Sequence, residues 1–323
     1  MSARHARRAL LVALSMLALP AWPQPASYPN RPIRLVVFTP PGAGTDLLSR
    51  TLAPPLSRAL GQPVMVENKP GADGAIAGEF VARSAPDGYT LLMGTNSPLV
   101  GAPLLHKNTS YDPLTDFTAI GFVGRFSFYL VVNPEVPART LAELLDYARA
   151  NPNRLNYATG NTAGILSIAQ VLALGGVKMV HVPYKGEPAA IPDLVAGRIQ
   201  LMIATASSAL ELIRAGKLRA IATTNPKRTT QLPDVPTLAE SGMPSFSIHA
   251  WAALYGPAGL PGDIVDRLNR ELNAALMLPE VRRQLDLQEF AYATSTPEEM
   301  DAFLKAQFDL WRQAIRDAGI QPD

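Results

Sequence analysis

The residues of this chain best suited to chemistry are glycines and hydroxyls at the ends of apolar runs. Phe38 to Arg50 read FTPPGAGTDLLSR, and within them Pro41, Gly42, Ala43, Gly44, Thr45 and Asp46 separate a strand-like run from a helix-like one. Glycine lets main chain approach a ligand closely, and the unpaired N–H groups of a helix start attract anions. Such a loop favours capture of a carboxylate by main-chain amides. The same residues would also serve a plain turn, with Gly42 and Gly44 reversing the chain and Asp46 capping the helix.

Four more segments have the same placement: Lys69–Gly74, Thr95-Asn96-Ser97, Thr159–Gly164 (holding Gly160, Asn161, Thr162 and Ala163) and Tyr184–Glu187. In open parallel sheets, ligands sit outside the carboxyl ends of the strands, where loops lead into helices. Lys185 is a flexible cation that could draw in an anion, and Tyr184 could hydrogen-bond one. A tight turn with a solvated lysine explains Lys185 equally well, and the backbone at Gly186 is the stronger candidate.

Other chemistries fail on spacing. Gly42-Ala43-Gly44 begins like a dinucleotide fingerprint, but Leu47 stands where the third glycine belongs. Gly216-Lys217 is followed by Leu218, which excludes a phosphate-binding Walker loop, and neither a Gly-x-Ser-x-Gly elbow nor a His-Glu-x-x-His helix occurs. His5, His106, His181 and His249 are scattered, and Asp46 has no evident acid–base partner. No enzymatic activity, no cofactor and no metal are expected.

These loops need strands before them and helices after them. Ile33 to Thr39 reads as a buried strand and Asp46 to Leu60 as a helix ending at Gly61, with Pro54-Pro55 expected to kink it or divide it. Strands are also expected at Pro63–Asn68 and Tyr89–Thr95, around a helix at Ala75–Ser84. A second set begins after Asn133-Pro134. A capping box at Thr140–Glu143 opens a helix, and strands follow at Leu155–Thr159, Lys178–Tyr184, Ile199–Thr205 and Arg219–Thr224, with a helix at Ile165–Leu174. Toward the end come a capping box at Thr237–Glu240, a short strand at Ala252–Tyr255, and amphipathic helices at Asp263–Met277 and Thr296–Ala318. The alternation predicts an α/β fold of βαβ units with parallel sheets, in two doubly wound domains. The last helices are expected to cover the first sheet, so the chain would cross between domains twice and form a hinge. The expected division is 27–129 plus 251–323 for the first domain and 130–250 for the second.

Composition agrees with a globular chain: 323 residues, 47% hydrophobic and 17% charged. Residues 1–26 differ, with Arg4, Arg7 and Arg8 before the apolar run Ala9–Leu19, the layout of a secretory signal peptide cleaved between Ala21 and Ser27. That run is too short for a membrane anchor. Removing these three arginines from the 29 basic residues leaves 26 against 27 acids, a net of −1. Nothing in this balance suggests nucleic acid. The chain has no cysteine, so it contains neither a disulfide framework nor a thiol nucleophile.

A series of short motifs then runs in order from Tyr28 to Asp323: RPIRLVV with PPGAGTDLLSR, LGQPVMVENKPGADG, APDGYTLLMGT, YDPLTDF, LNYATGN, VHVPYKG, DLVAGRIQLM, LPDVPTLAESGMP and STPEEM. In this order they resemble the Bug family, the solute-binding proteins of bacterial tripartite tricarboxylate transporters. The resemblance implies a periplasmic-binding-protein-like fold, two domains with a hinge and a cleft that closes on a small carboxylated solute. It implies that the loop matching Pro40–Asp46 grips a carboxylate through backbone N–H groups. The loops matching Thr95–Ser97 and Thr159–Gly164 would meet the ligand from either side, and the segment around Ala204 and Thr205 would line the floor of the second domain. The implied partners are a small carboxylate and the permease subunits of a membrane transporter, with the chain a periplasmic monomer. A solute sensor for a membrane receptor, or a secreted enzyme on the same scaffold, are the alternatives.

Two departures from the family pattern bear on the ligand. Gly160-Asn161-Thr162-Ala163 and Leu166 stand where the family writes Gly-Asn-Gly-Thr/Ser and a histidine, and Ala204 where it often writes an aspartate. They are expected to strip polar groups from one wall, so that a second ligand carboxylate is poorly served unless Thr162, Thr205 or Ser207 takes over. Phe126 and Phe128 would add aromatic surface. The expected ligand has one well-held carboxylate and a less polar or aromatic remainder.

Overall fold

The computed structural model describes residues 28–317, so the expected signal peptide and Ala318, the last residue of the expected helix Thr296–Ala318, lie outside the described residues. Strand β1 (Ile33–Val37) is buried at four of its five positions and runs parallel to β2 (Val64–Asn68) and β3 (Thr90–Thr95). Between β1 and β2 lies helix α1 (Gly44–Leu60). Its leucines 48, 52, 56 and 60 fall at four-residue spacing and are all buried, each contributing about 1.5–3 kcal/mol. Pro54 and Pro55 do not divide α1, which is one 17-residue helix closed by left-handed Gly61. Adjacent prolines remove only two ladder bonds, and the apolar seam on both sides outweighs that loss.

Helix α2 (Ala75–Ala82) precedes β3, and a π-helical turn (Ser97–Gly101) running into the short α3 (Ala102–Leu105) follows it. The first sheet is completed by strands that pair antiparallel: β10 (Trp251–Pro257) inserts between β3 and β4 (Phe117–Phe126), and β11 (Phe290–Tyr292) lies on the outer edge of β4. The second sheet has the order β7-β6-β8-β5-β9. In it β6 (Asn156–Thr159) runs parallel to β7 (Val180–Pro183) and β8 (Leu201–Thr205), while β5 (Phe128–Val132) runs antiparallel to β8 and β9 (Arg219–Thr223). The expected parallel arrangement therefore holds for three strands in each sheet. The remaining strands are antiparallel because the chain enters and leaves each sheet by crossing.

Those crossings are short on one side and long on the other. Ser127 alone separates β4 from β5, and the return runs from Thr223 to Trp251, with Phe126 N–H donating to Ala250 O at 3.0 Å where the two passes meet. A second tie joins the sheets: Tyr129 of β5 donates its hydroxyl to Glu289, which precedes β11, and the other Glu289 oxygen accepts from Gln231 N–H at 3.0 Å.

Helices α4 (Leu141–Ala150), α5 (Thr162–Gly175), α6 (Glu187–Val195) and α7 (Ala206–Arg214) belong to the second sheet. Helices α8 (Gly262–Met277), α9 (Pro279–Leu287) and α10 (Pro297–Asp317) follow β10, and α8 and α10 pack on β4, as expected for helices that cover the first sheet. The capping box of α4 forms, with Glu143 N–H bonded to Thr140 Oγ1 at 3.2 Å. The box at Thr237–Glu240 closes reciprocally, but on a turn instead of a helix.

Candidate functional site

The carboxyl ends of β1, β3, β6, β7 and β8 open into one cleft with about 450 Å³ of empty space. From the first sheet, Ala43, Gly44 and Thr45 at the start of α1, and Thr95, Asn96 and Ser97 after β3, face it. Gly160, Asn161, Ala163, Gly186 and Thr205 face it from the second. Direct contacts link the two sides, since Thr162 N–H at the start of α5 donates to Ser97 Oγ at 3.3 Å.

The other expected residues lie outside the cleft lining. Asp46 is only 1% exposed, but its carboxylate turns back to accept from Gly42 N–H at 2.9 Å, Asn68 Nδ2 at 2.8 Å and Arg50 Nε at 3.0 Å. Burial raises its pKa, but the bonds from Arg50, Gly42 and Asn68 outweigh that and hold it below the usual aspartate value. Asp46 is thus a brace for the loop. Gly42 and Pro41 form its exposed outer turn, and Gly42 sits at φ +83°, a conformation that glycine adopts without a Cβ penalty. Lys185 is an exposed turn lysine, and Tyr184 donates its hydroxyl to Asp193 at 2.6 Å, away from the cleft. Ala204 is in the core of the second sheet, and Thr162 is fully buried beneath the cleft wall.

Several lining residues escaped the sequence reading. Phe38 and Thr39 follow the end of β1, just before the expected Pro40, and Ala250 and Trp251 arrive with the returning strand β10. Phe126 and Phe128, expected as aromatic surface, do line the cleft, edge to face at 6.5 Å between centroids. More consequential is Glu187, which ends the expected segment Tyr184–Glu187 without being one of its expected binding groups; it is the first residue of α6 and 2% exposed. Its Oε1 accepts from Asn161 Nδ2 at 3.0 Å, and its Oε2 from Thr205 Oγ1 at 2.6 Å and Thr205 N–H at 3.2 Å. Burial pushes this carboxyl above the usual glutamate value, with the bonds from Thr205, Ser208 and Asn161 pulling partly the other way. The wall expected to be stripped of polar groups instead holds a buried acid among hydroxyl and amide donors.

Among the described residues, no lysine, arginine or histidine lines the cleft. What can attract an anion is main chain. Helix α1 starts without a side-chain cap, so the N–H groups of its first turn, beginning at Gly44, have no partner within the helix, and the helix dipole adds partial positive charge there. Helix α5 is capped by Asn161, whose Oδ1 accepts from Gly164 N–H at 2.8 Å. Gly160 is required by close approach, because a Cβ there would stand 2.5 Å from Glu187 N. No group of three or more potential metal ligands occurs among the described residues.

Two α/β sheets joined by two crossings, with strand-to-helix loops of both facing one cleft, define the class: a solute-binding protein of the periplasmic type. A family profile described as "Tripartite tricarboxylate transporter family receptor" matches residues 48–320. The chain is 35% identical over 300 residues to protein BugT of Bordetella pertussis, covering 91% of each chain. Among solved structures it resembles a protein of R. palustris with adipate, at 33% identity and TM-score 0.88, covering 92% of this chain and 100% of that one. It also resembles MatC from Rhodopseudomonas palustris with bound malate, at 29% identity and TM-score 0.82, covering 89% of this chain and 100% of that one. The chain belongs to the tripartite tricarboxylate transporter receptor family, whose members are solute-binding receptors and not enzymes.

Proposed function

We propose that this chain is exported to the periplasm as a monomer, captures a small carboxylate in the cleft and delivers it to the membrane subunits of a tripartite tricarboxylate-type transporter. One carboxylate is held by the main-chain N–H groups at the start of α1, and the remainder of the ligand lies against Phe126 and Phe128. The two lobes follow the expected division with its first boundary moved from 129 to Ser127, because β5 (Phe128–Val132) lies wholly in the second sheet, and the crossings at Ser127 and before Trp251 act as the hinge. Carboxylate ligands in two related structures support this reading. The observation that carries it is the uncapped start of α1 on a cleft wall that has no cationic side chain among the described residues. Native mass spectrometry of the mature protein as purified tests it, with thermal melting in the presence of mono- and dicarboxylic acids. A co-purifying acid, or a melting temperature that rises with acid concentration as mass action requires, is the expected result. Folded protein that responds to no carboxylate would remove the proposal.

A further inference from the structure

We propose that Glu187 closes the second-sheet end of the cleft to a ligand carboxylate, so that this chain selects acids with one carboxylate and an uncharged far end. This rests on the carboxylate-capture reading above.

The argument is one of donor occupancy. Glu187 opens α6, and its side chain reaches Asn161, the cap of α5, and Thr205, the residue before α7, so one carboxyl group spans the starts of all three helices on that wall. Two of its donors are committed whatever its protonation state. Asn161 turns its Nδ2 toward Glu187 because its Oδ1 is held by Gly164 N–H, and the Thr205 N–H points at the same carboxyl group. These are the groups that a second ligand carboxylate would need. An arriving carboxylate would find them filled and, whenever Glu187 is ionised, would meet a like charge in a buried site, a juxtaposition that costs several kcal/mol. The opposite end differs: α1 starts at the cleft with no side-chain cap on its N–H groups. One end is open to an anion and the other is already filled by a carboxyl group, with Phe126 and Phe128 also lining the space.

Hexanoate and adipate have the same chain length and differ only in the far end, methyl against carboxylate. Calorimetric titration of both into the wild-type mature chain, Glu187→Ala and Glu187→Gln near neutral pH tests the proposal. The wild type should bind hexanoate at least about tenfold more tightly than adipate, and Glu187→Ala, which frees the Asn161 and Thr205 donors, should move that ratio toward adipate by at least about tenfold. Glu187→Gln keeps the shape and loses the charge. It should shift the ratio the same way by less, and it carries the test if Glu187→Ala fails to fold by circular dichroism. A wild type that binds adipate as tightly as hexanoate, or a ratio unchanged in the folded variants, overturns the role of Glu187 while leaving carboxylate capture intact. Folded wild type that binds neither of these acids nor any other mono- or dicarboxylate overturns carboxylate capture itself.

Discussion

A Cβ placed on Gly44 would stand 3.2 Å from Cγ2 of Thr205, across the cleft between the two sheets. The start of α1 and the end of β8 are therefore within one side chain of each other, and the missing side chain at position 44 keeps the cleft open between them.

Gly44→Leu is expected to fill that space. Position 44 begins a helix and leucine is a good helix former, so the backbone cost is small. The leucine side chain would crowd Thr205, Ser207 and Phe126, so thermal stability should fall, overpacking costing about 1–3 kcal/mol, and affinity for any carboxylate that the wild type binds should fall at least about tenfold. Titration calorimetry with a parallel melting curve checks this, and an unchanged affinity would place the ligand elsewhere.

Asp46→Ala should act differently, through the fold of the loop. The substitution leaves Gly42 N–H and Asn68 Nδ2 without their acceptor, and unsatisfied groups of this kind cost about 1–3 kcal/mol. The expected outcome is a lower urea midpoint together with weaker ligand binding, because the same loop presents the start of α1. Denaturant melts of wild type and variant measure the first effect. A variant as stable as wild type would show that the Asp46 brace is dispensable.

The contrast between these two residues shows what the sequence made legible. An apolar run followed by glycine, threonine or serine marked each parallel strand and its loop, because those signals are local, and the loops after β1, β3, β6, β7 and β8 do reach one cleft. Which side chain in a loop faces the cleft is decided by partners distant in sequence. Asp46 turns away because Asn68 lies 22 residues on, and Glu187 turns inward because Asn161 and Thr205 lie 26 and 18 residues away. Pattern reading keeps acids on the surface, since burying a charge is costly, and so it passes over Glu187, the one carboxylate that lines this cleft among the described residues. The antiparallel insertion of β10 between β3 and β4 was equally hidden, and with it the arrival of Ala250 and Trp251. Strand pairing is set by the whole chain, and a short run such as Ala252–Tyr255 does not encode it.

Asp46 and Glu187 should give opposite pH slopes to stability. Asp46 has a folded pKa below its unfolded value near 3.9, so its contribution is present above that pH and is lost as pH falls through the folded value. Glu187 has a folded pKa above its unfolded value near 4.3, so between the two the folded state holds more protons than the unfolded one. Its contribution is complete below about pH 4.3 and declines as pH rises toward the folded value. Glu187→Gln removes this slope without removing the side chain. Measured by urea unfolding from about pH 2 to pH 8, the variant should gain stability relative to wild type as pH rises above about 4.3, while the loss from Asp46 below about pH 3.9 remains in both proteins. A stability difference between wild type and Glu187→Gln that is constant with pH would mean that Glu187 titrates as an ordinary solvated carboxylate, and the wall of donors around it would then have to be open to water.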